Sequence, residues 1–319
     1  MAEKDTASKA FMSDAVHFAD AFNFYMFDGE QKIKPEQLKP YQTSDAALPH
    51  SVGGNAVPTQ RHRDIMKELT TVMTDGQAAY ALLGIENQAN VHYAMPVRNM
   101  VYDALAYSSQ VSAAESGHRK SDESAPSGAE WLSGWYKTDR LKPVFTLVLY
   151  FGAEPWDGPT ALSEMLGTYD EEFTPYLQDY KIFVIAPKTI ADEDFDKFHS
   201  DLRELLKFIK YSKDKAGLER MVSEDERFHH VSRMTADAIN IITGSNMSFD
   251  DREEEIDMCK AVQDIRSEAR ILALAEEAVR SIKSIMETLN LTFDQAYAAL
   301  KLPEDQKDAY REMVEAAQQ

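Results

Sequence analysis

The chain has 319 residues, 44% of them hydrophobic and 28% charged, a balance that belongs to globular domains and excludes disordered or fibrous classes. Its net charge is −20 at pH 7; residues 1–160 hold 14 Lys+Arg against 20 Asp+Glu, a net of −6, which leaves −14 beyond them. That argues against a general nucleic-acid-binding surface and leaves room only for local basic patches in the first half.

The single cysteine, Cys259, excludes an intrachain disulfide and fits a reducing compartment. It stands in a helical pattern with no metal-spaced partner and reads as a small buried apolar residue. The N-terminal stretch MAEKDTASKAFMSDAV has no apolar leader segment, and no run reaches the length needed to span a bilayer. A soluble cytoplasmic protein without a membrane partner is expected.

In chain order, SDAVHFADAFNFYMFDG (13–29) predicts a helix capped by Ser13 and stopped at Gly29, with Val16, Phe18, Ala19, Phe22 and Met26 at helical spacing. Residues 39–60 are rich in Pro, Gly, Ser and Asn and predict a long loop. Two strand-compatible runs then flank Asp75-Gly76, a strong short-range hairpin signal. Pro96 opens a helix with apolar positions at 97, 100, 101, 104, 105 and 111. Residues 112–130 are polar and of low complexity, and predict a flexible loop. PVFTLVLYFG (143–152) and DYKIFVIAP (179–187) predict strands buried on both faces. From about residue 192 the pattern is helical to the end, and 264–319 is strongly charged and amphipathic. The order predicts a mixed α/β core followed by an all-helical part.

A hairpin centred between Asp75 and Gly76 sets Asp64 opposite residue 87, within a residue or so of Glu86 and Gln88. Glu86 and Gln88 share one face of their strand, and a slip of one residue would reverse the face of Asp64. The two carboxylates form a hard oxygen site suited to Mg²⁺, with Mn²⁺ as a substitute. Such an ion polarises a phosphodiester and activates water, while Gln88 would orient that water or touch the phosphate. Arg98 and Tyr102, one helical turn apart, would contact a nucleic-acid backbone. The plainer alternative is a solvated acid pair bridged to Arg61 or Arg63. His50, His62 and His92 lack zinc-ligand spacing, and SVGGNAV lacks the strand and helix of a dinucleotide-binding turn.

Taken together, FADAFNFYMFDG, RHRDIMKE, LLGIENQANVHYAMPVRNMVYDALAY and PVFTLVLYFGAEPWDGP resemble the recombination-promoting nuclease and transposase family within the PD-(D/E)XK nuclease superfamily. The resemblance implies an α/β fold, with a restriction-endonuclease-like αβββαβ core over residues 10–190. A mixed central sheet would be flanked by helices, followed by a helical extension of the core (191–263) and a charged helical tail (264–319). It makes Asp64 the first metal-binding acid and Glu86 the second. Gln88 stands where the superfamily usually has lysine, and glutamine lacks the cationic charge that lysine brings to the transition state. Asp20, in FADAFN, falls where many such nucleases place a further metal-binding acid. The implied activity is metal-dependent DNA endonuclease cleavage linked to recombination or to defence against foreign DNA, and a homodimer would allow both strands of a duplex to be cut. The alternative is a catalytically weak DNA-binding or regulatory protein on the same fold.

Overall fold

Asp14 separates two helices that the sequence runs almost together. In the computed structural model of the chain, which describes residues 2–41, 48–52, 55–59, 64–72, 78–121, 126–250 and 252–316, helix α1 spans Ala2–Ser13 and α2 spans Ala15–Phe27. The Asp14 carboxylate accepts a hydrogen bond from the Val16 N–H, satisfying one of the orphan donors of the α2 N-terminus. The cap is therefore Asp14, not Ser13, whose hydroxyl donates to the Lys9 carbonyl inside α1. Helix α2 ends at the expected place. Asp28 and Gly29 both take positive φ, and a side chain at Gly29 would run into the backbone of Lys197.

Strands β1 (Leu38–Pro40), β2 (Leu48–Val52) and β3 (Asn55–Thr59) occupy much of the expected 39–60 loop. The last two pair with each other as an antiparallel ribbon, Val52 against Asn55. Two five-residue runs around Gly53-Gly54 are a hairpin signal, which the Pro, Gly and Asn content of the segment masks. Strands β4 (Ile65–Val72) and β5 (Ala78–Gln88) pair antiparallel as expected; the Asp75-Gly76 turn itself lies outside the described residues.

Helix α3 (Met95–Lys120) does not stop near 111 but continues through most of the segment expected to be a loop. Its Ala, Glu, Arg and Lys residues favour helix, and His118, Arg119 and Lys120 in the last turn suit the negative end of its dipole. A short helix α4 (Gly128–Ser133) follows. Strand β6 (Val144–Tyr150) is buried at all but one position, as an apolar run covered on both faces should be. Strand β7 shrinks to Phe183–Ile185.

Five strands form one mixed sheet in the order β1-β4-β5-β6-β7. The first two pairings are antiparallel and the last two parallel, so α3 is the crossover that a parallel β5–β6 pair requires. Helix α3 lies on one face: Ala106 packs with Met66, Leu82 and Val144, and Met95 with Val148 and Ile182. On the opposite face, Lys67 reaches the ring of Phe18 and donates to the Ser13 carbonyl.

The fold divides into two units. The first takes residues 1–246 and 252–256, and so joins to the sheet α5 (Leu202–Tyr211), α6 (Lys215–Glu224), α7 (Arg233–Thr243) and the small β8–β9 pair (Val231–Ser232 with Glu255–Ile256). The second takes 247–251 and 257–319, with α8 (Met258–Leu289), α9 (Phe293–Ala299) and α10 (Lys307–Ala316). Its core joins Val279 and Ile282 to Ala296, Tyr297 and Val314. Cys259 is buried, as expected. No helix among the described residues is long and apolar enough to cross a membrane.

Candidate metal and phosphodiester site

The register of the β4–β5 pair decides what stands beside Glu86. Ile65 pairs with Ile85 and Leu69 with Ala81. Carried one residue further, this sets Asp64 opposite Glu86, one position from the expected residue 87. The difference matters because residues directly opposed in an antiparallel pair share a face. Were the strand geometry to continue through Asp64, which lies just outside β4, its side chain would share the face of Glu86 and Gln88. The Asp64 carboxylate is fixed by the backbone: its Oδ2 accepts from the Asn87 N–H at 3.0 Å.

Five influences set the charge of Asp64. Burial is the largest and raises its pKa above the ordinary 3.8, Asp5 adds to the rise, and the Asn87 N–H, Lys9 and Arg98 oppose it. The net direction is up. Lys9, on α1, brings its ammonium to 4.0 Å from Asp64 Oδ1.

Glu86 is 0% exposed. In the parallel β5–β6 register it lies beside Val148, under α3, and Arg98 of that helix places Nη2 3.4 Å from Glu86 Oε2. Burial works against the Arg98 charge, but Glu86, Tyr102 and Asp64 outweigh it and hold the guanidinium above its ordinary pKa. The guanidinium also lies over the Tyr102 ring, 5.5 Å from its centroid, and Tyr102 is itself buried. Of the two residues expected to meet a nucleic-acid backbone, Arg98 therefore faces Glu86, and Tyr102 lies against the Arg98 guanidinium. Gln88 is buried on the same face, aligned with Tyr150.

Next to Arg98 on α3, Asn99 is 1% exposed, and neither polar atom of its amide has a hydrogen-bond partner among the described residues; the same holds for Arg98 Nε. Asn99 sits between Met95, which packs on Val148, and Asp103, which accepts from the Thr146 hydroxyl at 2.8 Å. It therefore covers the strand positions next to Glu86. Buried polar atoms without protein partners mark a place that admits water or an ion.

Asp20 is not part of this group. It is 2% exposed on α2, and its carboxylate accepts from the His199 and Ser200 N–H groups and from the Ser200 hydroxyl, the last at 2.6 Å. It ties α2 to the segment that leads into α5. Among the described residues, no three His, Cys, Asp or Glu side chains are grouped to hold an ion; the candidate pair consists of two carboxylates. His50 and His62 lie where side chains are not described.

A cleft of about 250 Å³ opens at the same end of the sheet. Its walls include Lys4 and Ser8 of α1, Asn90 beyond β5, Tyr150 and Gly152 at the end of β6, and Lys213 beyond α5. Lys9 and Asn99 went unread in the sequence. The Ala, Lys and Glu content of residues 2–13 is a helix signal that would have brought Lys9 forward, whereas nothing local marks Asn99. No family model, no curated protein and no solved structure matches the chain.

Proposed function

We propose that the chain is a Mg²⁺-dependent DNA endonuclease, with Asp64 and Glu86 as the metal-holding acids. The observation that carries this reading is the β4–β5 register, Ile65 against Ile85, which extended by one residue past the end of β4 would bring Asp64 opposite Glu86, together with the hydrogen bond from the Asn87 N–H to the Asp64 carboxylate. Supporting it is the element order: a helix, three antiparallel sheet strands (β1, β4, β5), a crossover helix and a parallel strand. With α1, the β2–β3 ribbon and α4 set aside as additions, this order supports the αβββαβ core that the resemblance implies.

The donor set fits a hard divalent cation. Mg²⁺ takes one or two protein carboxylates and keeps several waters, and the buried polar atoms of Asn99 and Arg98 offer those waters partners. When bound, the ion would polarise a phosphodiester and lower the pKa of a water. The chain's own residues do the rest. The Asn87 N–H orients Asp64, Arg98 holds the Glu86 carboxylate and balances its charge, and Gln88 supplies an amide to a water or a phosphate oxygen. Asp20 serves as a structural anchor on this reading, and Arg98, stacked on Tyr102, acts on Glu86 before it acts on DNA.

Plasmid nicking in Mg²⁺ or Mn²⁺ tests the proposal. Wild type should convert supercoiled to open circular DNA, and Asp64→Ala and Glu86→Gln should lose the activity. Equal cutting by the variants would refute the assignment. Retained DNA binding without cutting by wild type would favour the catalytically weak DNA-binding protein, for which the −20 net charge and the glutamine at 88 speak.

A further inference from the structure

Phosphodiester cleavage builds negative charge on the phosphoryl oxygens, and a fixed cation near them stabilises the transition state. Gln88 cannot provide that charge. Two cations face the acid pair among the described residues: Arg98, which approaches Glu86, and Lys9, which approaches Asp64. Their circumstances differ. Arg98 is 30% exposed, lies against a fully buried carboxylate and covers the Tyr102 ring. Moving it toward substrate would strip Glu86 of its counter-charge, which is costly at a buried acid. Lys9 is 50% exposed, and its 4.0 Å separation from Asp64 is too long for a hydrogen bond. Its four-carbon stem lets the ammonium swing through several ångströms at little cost.

The position of Lys9 is also suitable. It lies on the same helix as Lys4 and Ser8, which line the cleft at the strand ends. Lys9 itself is not part of the cleft wall; it follows Ser8 on α1 and approaches Asp64.

We infer that Lys9, presented from α1, is the catalytic cation of this site: it contacts the scissile phosphate and supplies the charge that Gln88 lacks. The inference rests on the nuclease reading above. In the proposed step water attacks phosphorus and gives up a proton to solvent, the P–O bond to the leaving oxygen breaks, and that oxygen takes a proton from solvent to leave as a hydroxyl. Lys9 keeps its own proton throughout and acts by charge.

The test compares wild type, Lys9→Ala, Lys9→Arg and Lys9→Ala/Gln88→Lys in plasmid nicking, with Mn²⁺ binding to each DNA-free protein measured by calorimetry. The expected results are a loss of about 100-fold or more for Lys9→Ala, in line with removal of one preorganised charge-stabilising group, and retention of most activity by Lys9→Arg. The double variant should recover at least tenfold over Lys9→Ala. Mn²⁺ affinity of Lys9→Ala should be unchanged or higher, because a competing cation has gone. Cutting by Lys9→Ala within threefold of wild type would overturn the role of Lys9 and leave the nuclease reading intact. Loss of Mn²⁺ binding in Lys9→Ala would also overturn it, because Lys9 would then act by shaping the acid pair. A wild type that never cuts would remove both.

Discussion

Arg98 Nη2 lies 3.4 Å from Glu86 Oε2, so a guanidinium from the crossover helix balances a carboxylate that the sheet buries completely. An acid in such a position is held at the expense of stability unless its charge is matched. The pair is therefore a structural joint between α3 and β5.

Removing one partner should expose that dependence. Arg98→Gln is expected to cost about 3 kcal/mol, the scale for leaving a buried charge without its partner. Adding Glu86→Gln to it should return part of the loss, so the double variant costs less than the two singles together. Urea unfolding of the four proteins measures this. Strict additivity would show that the two side chains do not interact in solution.

Asp20 leads to the opposite expectation for the metal. Its carboxylate, buried among the His199 and Ser200 donors, makes Asp20→Ala expensive, by about 3 kcal/mol when charge-assisted hydrogen bonds are lost from a buried acid. Mn²⁺ affinity should stay at the wild-type value. A well-folded Asp20→Ala protein with weakened Mn²⁺ binding would return Asp20 to the ligand set.

The raised pKa of Asp64 has a pH signature. A carboxyl whose folded pKa exceeds its unfolded value binds more protons in the folded state. Its contribution to stability is full below the unfolded value near 3.8 and is lost as pH rises through the folded pKa. In metal-free buffer, Asp64→Asn should therefore gain stability relative to wild type between pH 4 and pH 7. Urea midpoints across that range decide it, and a relative gain by wild type would contradict the direction of the shift.

In the helical unit, Tyr297 is 1% exposed, packs with Val279, Ile282 and Val314, and donates its hydroxyl to the Pro303 carbonyl. Tyr297→Ala should cost about 4 kcal/mol, the range for emptying a large aromatic site in a core. Hydrogen exchange should then speed up in α9 and α10. Unchanged protection there would show that this core does not hold the two helices.

Much of the sheet was legible because the signals were local. The apolar run of β6 and the end of α2 ahead of Gly29 can be read from a few neighbouring residues. So can the pairing of β4 with β5, since Asp75-Gly76 announces a hairpin. The register was off by one because the turn geometry, and not the dipeptide alone, sets which residues face each other. The long α3 was cut short at 111 because its later turns carry few apolar residues, and their helical preference comes from Ala, Glu and Lys. The three site positions in the hairpin followed from the strand pattern. The environments of Asp20, Arg98 and Tyr102 did not, because His199, Ser200 and the underside of the sheet are tertiary neighbours. Lys9 is the clearest case, a residue from a helix that the apolar pattern does not announce, placed beside an acid 55 positions later in the chain.

The most direct test of the acid pair is calorimetric titration of the DNA-free protein with Mn²⁺, comparing wild type with Asp64→Asn and Glu86→Gln at a pH where Asp64 is ionised. If the two carboxylates hold the ion, wild type shows saturable binding and each variant weakens it by at least tenfold. Binding of equal strength in all three proteins, or none in wild type, would contradict the assignment of Asp64 and Glu86 as a metal site.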